Sequence, residues 1–299
     1  MSKIYLSLTG GLGNQLYIAA TGLGLAKIFK KKIIFDTSTY KRYKLHSLLI
    51  NNLIPSVQYE DNNYIYKGYP LFSKDKRFLK LVREKSPSYD QNIINSLRNN
   101  SPFFDYFLKG YFQSLNYFSH ILPDLKHEIN KSLEIFNKEL IKNNVREILD
   151  KCLTIHIRRK DKTLKINKLI YGEITKDGFI RIINSLIHSS SYEYILILGD
   201  DPIFNRDLKK ALKLNINIIT SEFLNKKSSV FNDLFFMINS KGLIVNNSSF
   251  SLWAGYLSDS NYIFYPNRLF PLPKHISIKD LKIEDLVMPS WESYQNEYI

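Results

Sequence analysis

Apolar residues fall along the chain in short runs whose spacing differs between its two halves. "KIYLSLTGG" at the start reads as a strand, and residues 14 to 30, rich in Ala and Leu, read as a helix. That helix ends in lysines that suit its C-terminal dipole. "KIIFD" at 32 to 36 then gives a second strand and completes a βαβ opening. Residues 40 to 120 mix Asn, Tyr and Lys with brief apolar patches, and their pattern assigns no order of elements. From 123 to 150 the spacing is helical with few breakers.

The second half is more regular. "CLTIHIRR" (152 to 159), "YILILGDD" (194 to 201) and "INIIT" (216 to 220) read as strands, and "GFIRIINSLI" (178 to 187) as a helix between the first two. "NDLFFMINS" (232 to 240) and "FSLWAGYLS" (250 to 258) read as helices around the strand and loop "GLIVNNSSF" (242 to 250). Strands alternating with helices of about ten residues predict an α/β fold with a parallel sheet covered on both faces. Two domains are expected, 1 to 150 and 151 to 299. In such sheets ligands sit at the carboxyl ends of the strands, where the polar residues of this chain also fall.

Composition narrows the class only slightly. A length of 299 residues with 44% hydrophobic content supports a globular core. The single Cys152 excludes an internal disulfide framework. No segment approaches the ~20 apolar residues of a spanning helix, and the N-terminus has no secretory pattern, so a soluble cytoplasmic protein is expected. The formal charge of +14, from 42 Lys and Arg against 28 Asp and Glu, raises an anionic partner. The lysines are scattered, with no basic tail, zinc spacing or RNA-binding aromatic signature, which sets nucleic acid aside. Peripheral contact with an anionic membrane surface, and plain solubility, are the readings that stay.

Three stretches carry chemistry. In "IHIRRKD" (155 to 161) strand alternation sets His156 and Arg158 on one face and Ile155 and Ile157 on the other, so the polar pair is expected to face a cleft. Two arginines at a strand end form an anion site, in which Arg158 can hold a pyrophosphate bidentately and Asp161 can orient an arginine. In "ILGDDP" (197 to 202), Asp200 and Asp201 can bind a cation, act as acid and base, recognise a guanine edge, or cap the following helix. In "VNNSSFSLWAGYL" (245 to 257), Ser248 and Ser249 open a helix, a place for a phosphate or for an ordinary cap. The turn "GGLGNQL" (10 to 16) lacks the spacing of both the dinucleotide and the triphosphatase loops. Its Asn14 and Gln15 suit sugar hydroxyls or helix capping.

Taken together with "GYFQS" at 110 to 114 and "DLFFMINSKGLIVNNSSFSLWAGYL" at 233 to 257, these stretches, in this order, resemble the α-1,2-fucosyltransferases of glycosyltransferase family 11. The resemblance implies a GT-B-type fold, two Rossmann-like domains facing across a cleft, with an acceptor side in 1 to 150 and GDP-fucose held mainly by 151 to 299. It implies inverting transfer of fucose to a galactose-terminated oligosaccharide or lipid-linked glycan, with no metal and no cofactor. Arg158 is then the pyrophosphate contact and leading catalytic residue. Asn14 reaches the fucose or its leaving oxygen, and Gly11 belongs to the turn that lets the donor approach. His156 and Asp201 become candidates for ribose and guanine contacts. Ser248, Ser249 and Phe250 form the loop around guanine and phosphates, with Arg159 and Asp161 behind them.

The chain departs from the family pattern at Lys160, Asp161 and Lys162, where many relatives have glycine, aspartate and tyrosine. It departs again at Leu252 and Trp253, usually two tryptophans, and at Tyr17 in place of phenylalanine. None of these removes a donor-binding group. No general base stands out, since Glu173 and Asp177 match no family motif.

Overall fold

The computed structural model describes residues 2 to 42, 45 to 61, 73, 77 to 98, 103 to 160, 172 to 225, 229 to 269 and 282 to 298. Two compact units emerge, Met1–Ser132 with Ser277–Leu286, and Leu133–Ile276 with Val287–Ile299.

The first unit holds β1 (Lys3–Ser7), β2 (Lys32–Asp36), β3 (Tyr59–Glu60), β4 (Phe78–Arg83) and β5 (Phe104–Lys109). They form a sheet in the order β3-β2-β1-β5-β4, and every pairing is parallel. The helix Leu12–Phe29 joins β1 to β2 and is buried along most of its length. Small residues on it allow close approach: a Cβ on Gly24 would sit 2.3 Å from the Tyr117 carbonyl oxygen. The chain between β2 and β5, which sequence pattern left unordered, supplies three of the five strands when β5 itself is counted. In β5 the buried Asp105 accepts the Lys3 N–H at 2.8 Å and lies 3.5 Å from the Arg77 guanidinium, so a carboxylate interrupts an otherwise apolar centre.

The second unit holds β6 (Cys152–Ile157), β7 (Tyr194–Gly199), β8 (Asn217–Thr220), β9 (Gly242–Ile244), β10 (Tyr262–Pro266) and β11 (Glu292–Tyr294). Their order is β11-β10-β9-β6-β7-β8, again all parallel. Helices Lys176–Leu186 and Pro202–Ala211 cover one face, where Phe179, Ile183 and Leu208 pack with Ile155, Ile157, Ile195 and Ile197. The other face meets helices Val230–Ile238 and Ser249–Leu257: the Thr154 hydroxyl lies 2.6 Å from that of Ser240, and the His156 ring lies 5.2 Å from that of Phe250. All six residues of β6 are therefore buried, as expected for a parallel sheet covered on both sides.

The α/β class and its two Rossmann-like parallel units are those anticipated from the sequence. The division falls at 132/133, inside the helix Leu122–Phe136, where the sequence expectation put it at 150. Residues after Phe136 side with the second unit through contacts the sequence does not display. Asn232 donates to the Asn137 side chain at 2.6 Å, Phe136 stacks on Phe231 at 4.6 Å, and the Lys241 N–H donates to the Leu149 carbonyl at 3.0 Å. The helical stretch expected over 123 to 150 is broken into Leu122–Phe136, Lys138–Lys142 and Val145–Leu149, the last break at Asn144 with φ 55°. Among the described residues no helix is long and apolar enough to cross a membrane.

Candidate active site

The second sheet changes direction of winding between β6 and β9. From β6 the chain moves outward through β7 to β8, then returns to β9 and continues to β10 on the opposite side. The carboxyl ends of β6 and β9 therefore flank a switch point, the usual ligand position in open α/β sheets. Arg158 and Arg159 follow β6, and Asn246, Asn247 and Ser248 follow β9. Arg158, Arg159, Glu173, Asn246, Asn247 and Tyr298 line one pocket there.

The two arginines differ in their surroundings. Arg159 is clamped: its guanidinium lies 2.8 Å from Glu173, 3.6 Å from Asp201, and 4.0 Å above the Phe204 ring. Asp200 accepts the Arg159 N–H at 2.7 Å and the Lys160 N–H at 3.4 Å, which sets the path of the loop carrying both arginines. Asp201 accepts the Phe204 N–H at 3.1 Å and so caps the helix Pro202–Ala211 while holding Arg159. Glu173, which sequence reasoning singled out only to set aside, is thus an anchor for Arg159. Asp161, expected to orient an arginine, lies outside the described residues.

Gly199 makes this arrangement possible. Its φ is 148°, and a Cβ there would lie 2.0 Å from the Ile157 carbonyl oxygen, which also accepts the Asp200 N–H at 3.3 Å. Replacing Gly199 with alanine is expected to lower stability by about 2–4 kcal/mol through backbone strain and to displace the arginine loop. Urea unfolding together with donor titration checks both effects, and an unchanged midpoint with unchanged affinity would contradict the assignment.

On the β9 side, the Asn246 side-chain amide donates to the His156 carbonyl, and the Asn246 N–H donates to the Ser251 hydroxyl at 3.1 Å. These buried bonds hold the loop rigid. Ser248 sits at the N-cap of Ser249–Leu257, 1% exposed, and makes no side-chain cap bond. Its Oγ is sealed from solvent with no hydrogen-bond partner among the described residues. A hydroxyl left this way at a helix start is an unspent donor and acceptor, but its oxygen is sealed and does not line the pocket that Arg158 lines. Ser249 is partly buried, and Phe250 is 9% exposed with its ring edge-on to His156. His156 itself is 7% exposed, which corrects the expectation that it faces an open cleft: the helix carrying Phe250 covers that face.

Asn14 and Gly11 belong to the first unit. Gly11 is the backbone N-cap of Leu12–Phe29, which starts two residues earlier than periodicity suggested. Gln15 is fully buried. Its amide nitrogen donates to the Gly10 and Ser47 carbonyls at 3.0 and 2.9 Å, and its oxygen accepts the Leu49 and Ile50 N–H groups, so it is structural. Asn14 stays partly exposed, and its oxygen accepts from the Gln113 amide at 3.5 Å. This bond links "GGLGNQL" to "GYFQS", which follow adjacent strands β1 and β5.

Fold and site together define an α/β protein with two arginines lining a pocket at a topological switch point. The model described as Glycosyl transferase family 11 matches residues 89–292, and the chain belongs to that family. It is a glycosyltransferase. An α-1,2-colitosyltransferase from Escherichia coli is 27% identical over 278 residues, spanning 87% of this chain and 89% of that protein. Among solved structures, POFUT1 in complex with GDP is similar with a TM-score of 0.49 and 12% identity, covering 88% of this chain and 98% of that one. A mutant form of Arabidopsis thaliana FUT1 in complex with GDP is similar with a TM-score of 0.48 and 11% identity, covering 90% and 71% respectively.

Proposed function

We propose that the protein is an inverting, metal-independent α-1,2-fucosyltransferase that moves fucose from GDP-fucose to the 2-hydroxyl of a galactose-containing glycan. The observation that carries this reading is Arg158 at the end of β6, lining one pocket with Asn246 and Asn247 of the loop after β9 at the switch point of the second sheet. Arg158 grips the pyrophosphate bidentately and stabilises the charge that builds on it as the bond from C1 to the phosphate oxygen breaks. The acceptor oxygen forms its bond to C1 from the opposite face, and its proton passes to the departing GDP or to solvent. Because the centre is oxocarbenium-like, departure of GDP supplies most of the driving force. The helix start at Ser248 and Ser249 holds phosphate, and Asn14 and Gly11 are the first unit's contribution to the donor. His156, Phe250 and Asp201 act behind the ligand: His156 and Phe250 are buried against one another and Asp201 is engaged by Arg159.

The product would enter a surface polysaccharide, O-antigen or capsule. The protein would work in the cytoplasm, with its +14 charge drawing it to the anionic inner membrane face.

A second reading keeps the linkage and changes the sugar, because the E. coli relative is by name a colitosyltransferase. Colitose is fucose without its 3-hydroxyl. A site that hydrogen-bonds that hydroxyl rejects the deoxy donor by about 10⁴-fold, whereas an apolar one does not. Equal amounts of GDP-fucose and GDP-colitose offered to the purified protein separate the readings, since the two products differ in mass by one oxygen. Predominant fucosyl product supports the first reading, and predominant colitosyl product replaces it with the second.

A further inference from the structure

The carboxyl edge of the first sheet carries a pocket of its own. Glu84 and Lys85 follow β4 directly, Tyr111 and Gln113 come just after β5, and these four with Ser86 and Pro87 line a space of about 160 Å³. One water needs only about 10–15 Å³ measured this way, so the space is of the size class of a sugar ring rather than of a solvent molecule.

The chemistry of the lining narrows the ligand. The Glu84 carboxylate accepts the Tyr111 N–H at 2.7 Å through one oxygen, while its other oxygen is buried with no hydrogen-bond partner among the described residues. Phe112 has φ 54°, the left-handed turn that makes successive amides converge, and concavities of this kind ordinarily capture anions. Here the chain's own carboxylate fills the concavity. A phosphate or carboxylate ligand would meet like charge, whereas a neutral polyol would not. Tyr111 is 41% exposed, and its ring offers a surface on which the apolar face of a sugar can stack. Gln113 and Lys85 supply hydrogen bonds to hydroxyls. The Gln113 amide also donates to the Asn14 side chain at 3.5 Å, which ties the pocket's lining to the glycine turn after β1.

We propose that this pocket binds the acceptor's terminal sugar ring, with Tyr111 as the stacking platform, Gln113 as the hydroxyl contact, and Glu84 as a positioning residue that holds Tyr111 through its backbone N–H. The inference rests on the glycosyl-transfer reading for the role of the sugar, but the pocket can be tested without a donor. Saturation-transfer NMR on the full chain, with the methyl β-glycosides of galactose, glucose, N-acetylglucosamine and N-acetylgalactosamine as probes, reads binding directly. At least one probe is expected to receive saturation. Tyr111→Ala and Gln113→Ala are expected to weaken that binding about tenfold or more while GDP affinity, measured by calorimetry, stays within about twofold.

Glu84→Gln, which keeps one accepting oxygen, is expected to bind better than Glu84→Ala. In turnover assays these variants should raise the acceptor KM more than they lower kcat. The pocket assignment is overturned when no glycoside binds the wild type, or when binding survives both Tyr111→Ala and Gln113→Ala. Glycoside binding that behaves as expected in a protein that does not bind GDP would support the pocket and overturn the donor reading instead.

Discussion

Replacing Arg158 with alanine is expected to reduce sugar transfer by about 10²- to 10³-fold, the usual loss when one preorganised donor is removed from a developing anion. Thermal stability should fall less than in Arg159→Ala, because Glu173, Asp200 and Asp201 fix the loop after β6 through Arg159 and the backbone. Arg158→Lys retains the charge but loses the planar fork, and an intermediate loss of about tenfold is expected. Initial-rate measurements at saturating acceptor, beside GDP titrations, distinguish the cases. Arg159→Ala provides the contrast: it should lower both stability and activity, since it strands Glu173 and Asp201 together. A fully active Arg158→Ala protein would remove the foundation of the proposed mechanism.

Asp233→Asn is expected to gain stability over the wild type as pH rises, by the full amount at pH 8 and by only about a third of it at pH 5. Asp233 lies in the first turn of Val230–Ile238, and its Oδ1 is sealed with no hydrogen-bond partner among the described residues. Burial pushes its carboxyl up from 3.8 to about 7, overriding the helix N-terminus that would favour the anion. A carboxyl whose folded value is raised contributes stability below its unfolded value and loses that contribution as pH rises through about 7. The shift corresponds to roughly 4 kcal/mol at full ionisation, an upper bound on the gain from Asp233→Asn, and to a melting shift of several degrees. Thermal unfolding of both proteins from pH 5 to 8 tests it, and a pH-independent difference would contradict it.

The sequence disclosed the second unit more fully than the first, for reasons that lie in the residues. β6, β7 and β9 are buried on both faces and read as apolar runs, and the helices between them have clear caps in Thr175, Asp201 and Ser229. β4 is an edge strand with an exposed Phe78 and a Lys80 amid its leucines, and β5 carries the buried Asp105, so neither gives a plain strand pattern. β3 has only two residues. The unit boundary depends on Asn137 meeting Asn232, a pairing 95 positions apart that no local window contains.

At the site, the arginine pair and the Ser-rich helix start were legible because polar residues at strand ends stand out against apolar strands. The division of labour between Arg158 and Arg159 was not, since it depends on Glu173 arriving from a distant segment. Glu84 escaped notice for a related reason. A carboxylate directly after an edge strand looks like solvated surface until the β5 loop is seen folded over it.

Mass-spectrometric detection of product, after incubating the purified protein with GDP-fucose and galactose-terminated disaccharides in the presence of EDTA, tests the central claim most directly. The expected result is a fucosylated disaccharide, α-1,2-linked by NMR, that disappears in Arg158→Ala. GDP-fucose bound but never transferred to any galactoside, or transfer that persists without Arg158, would contradict it.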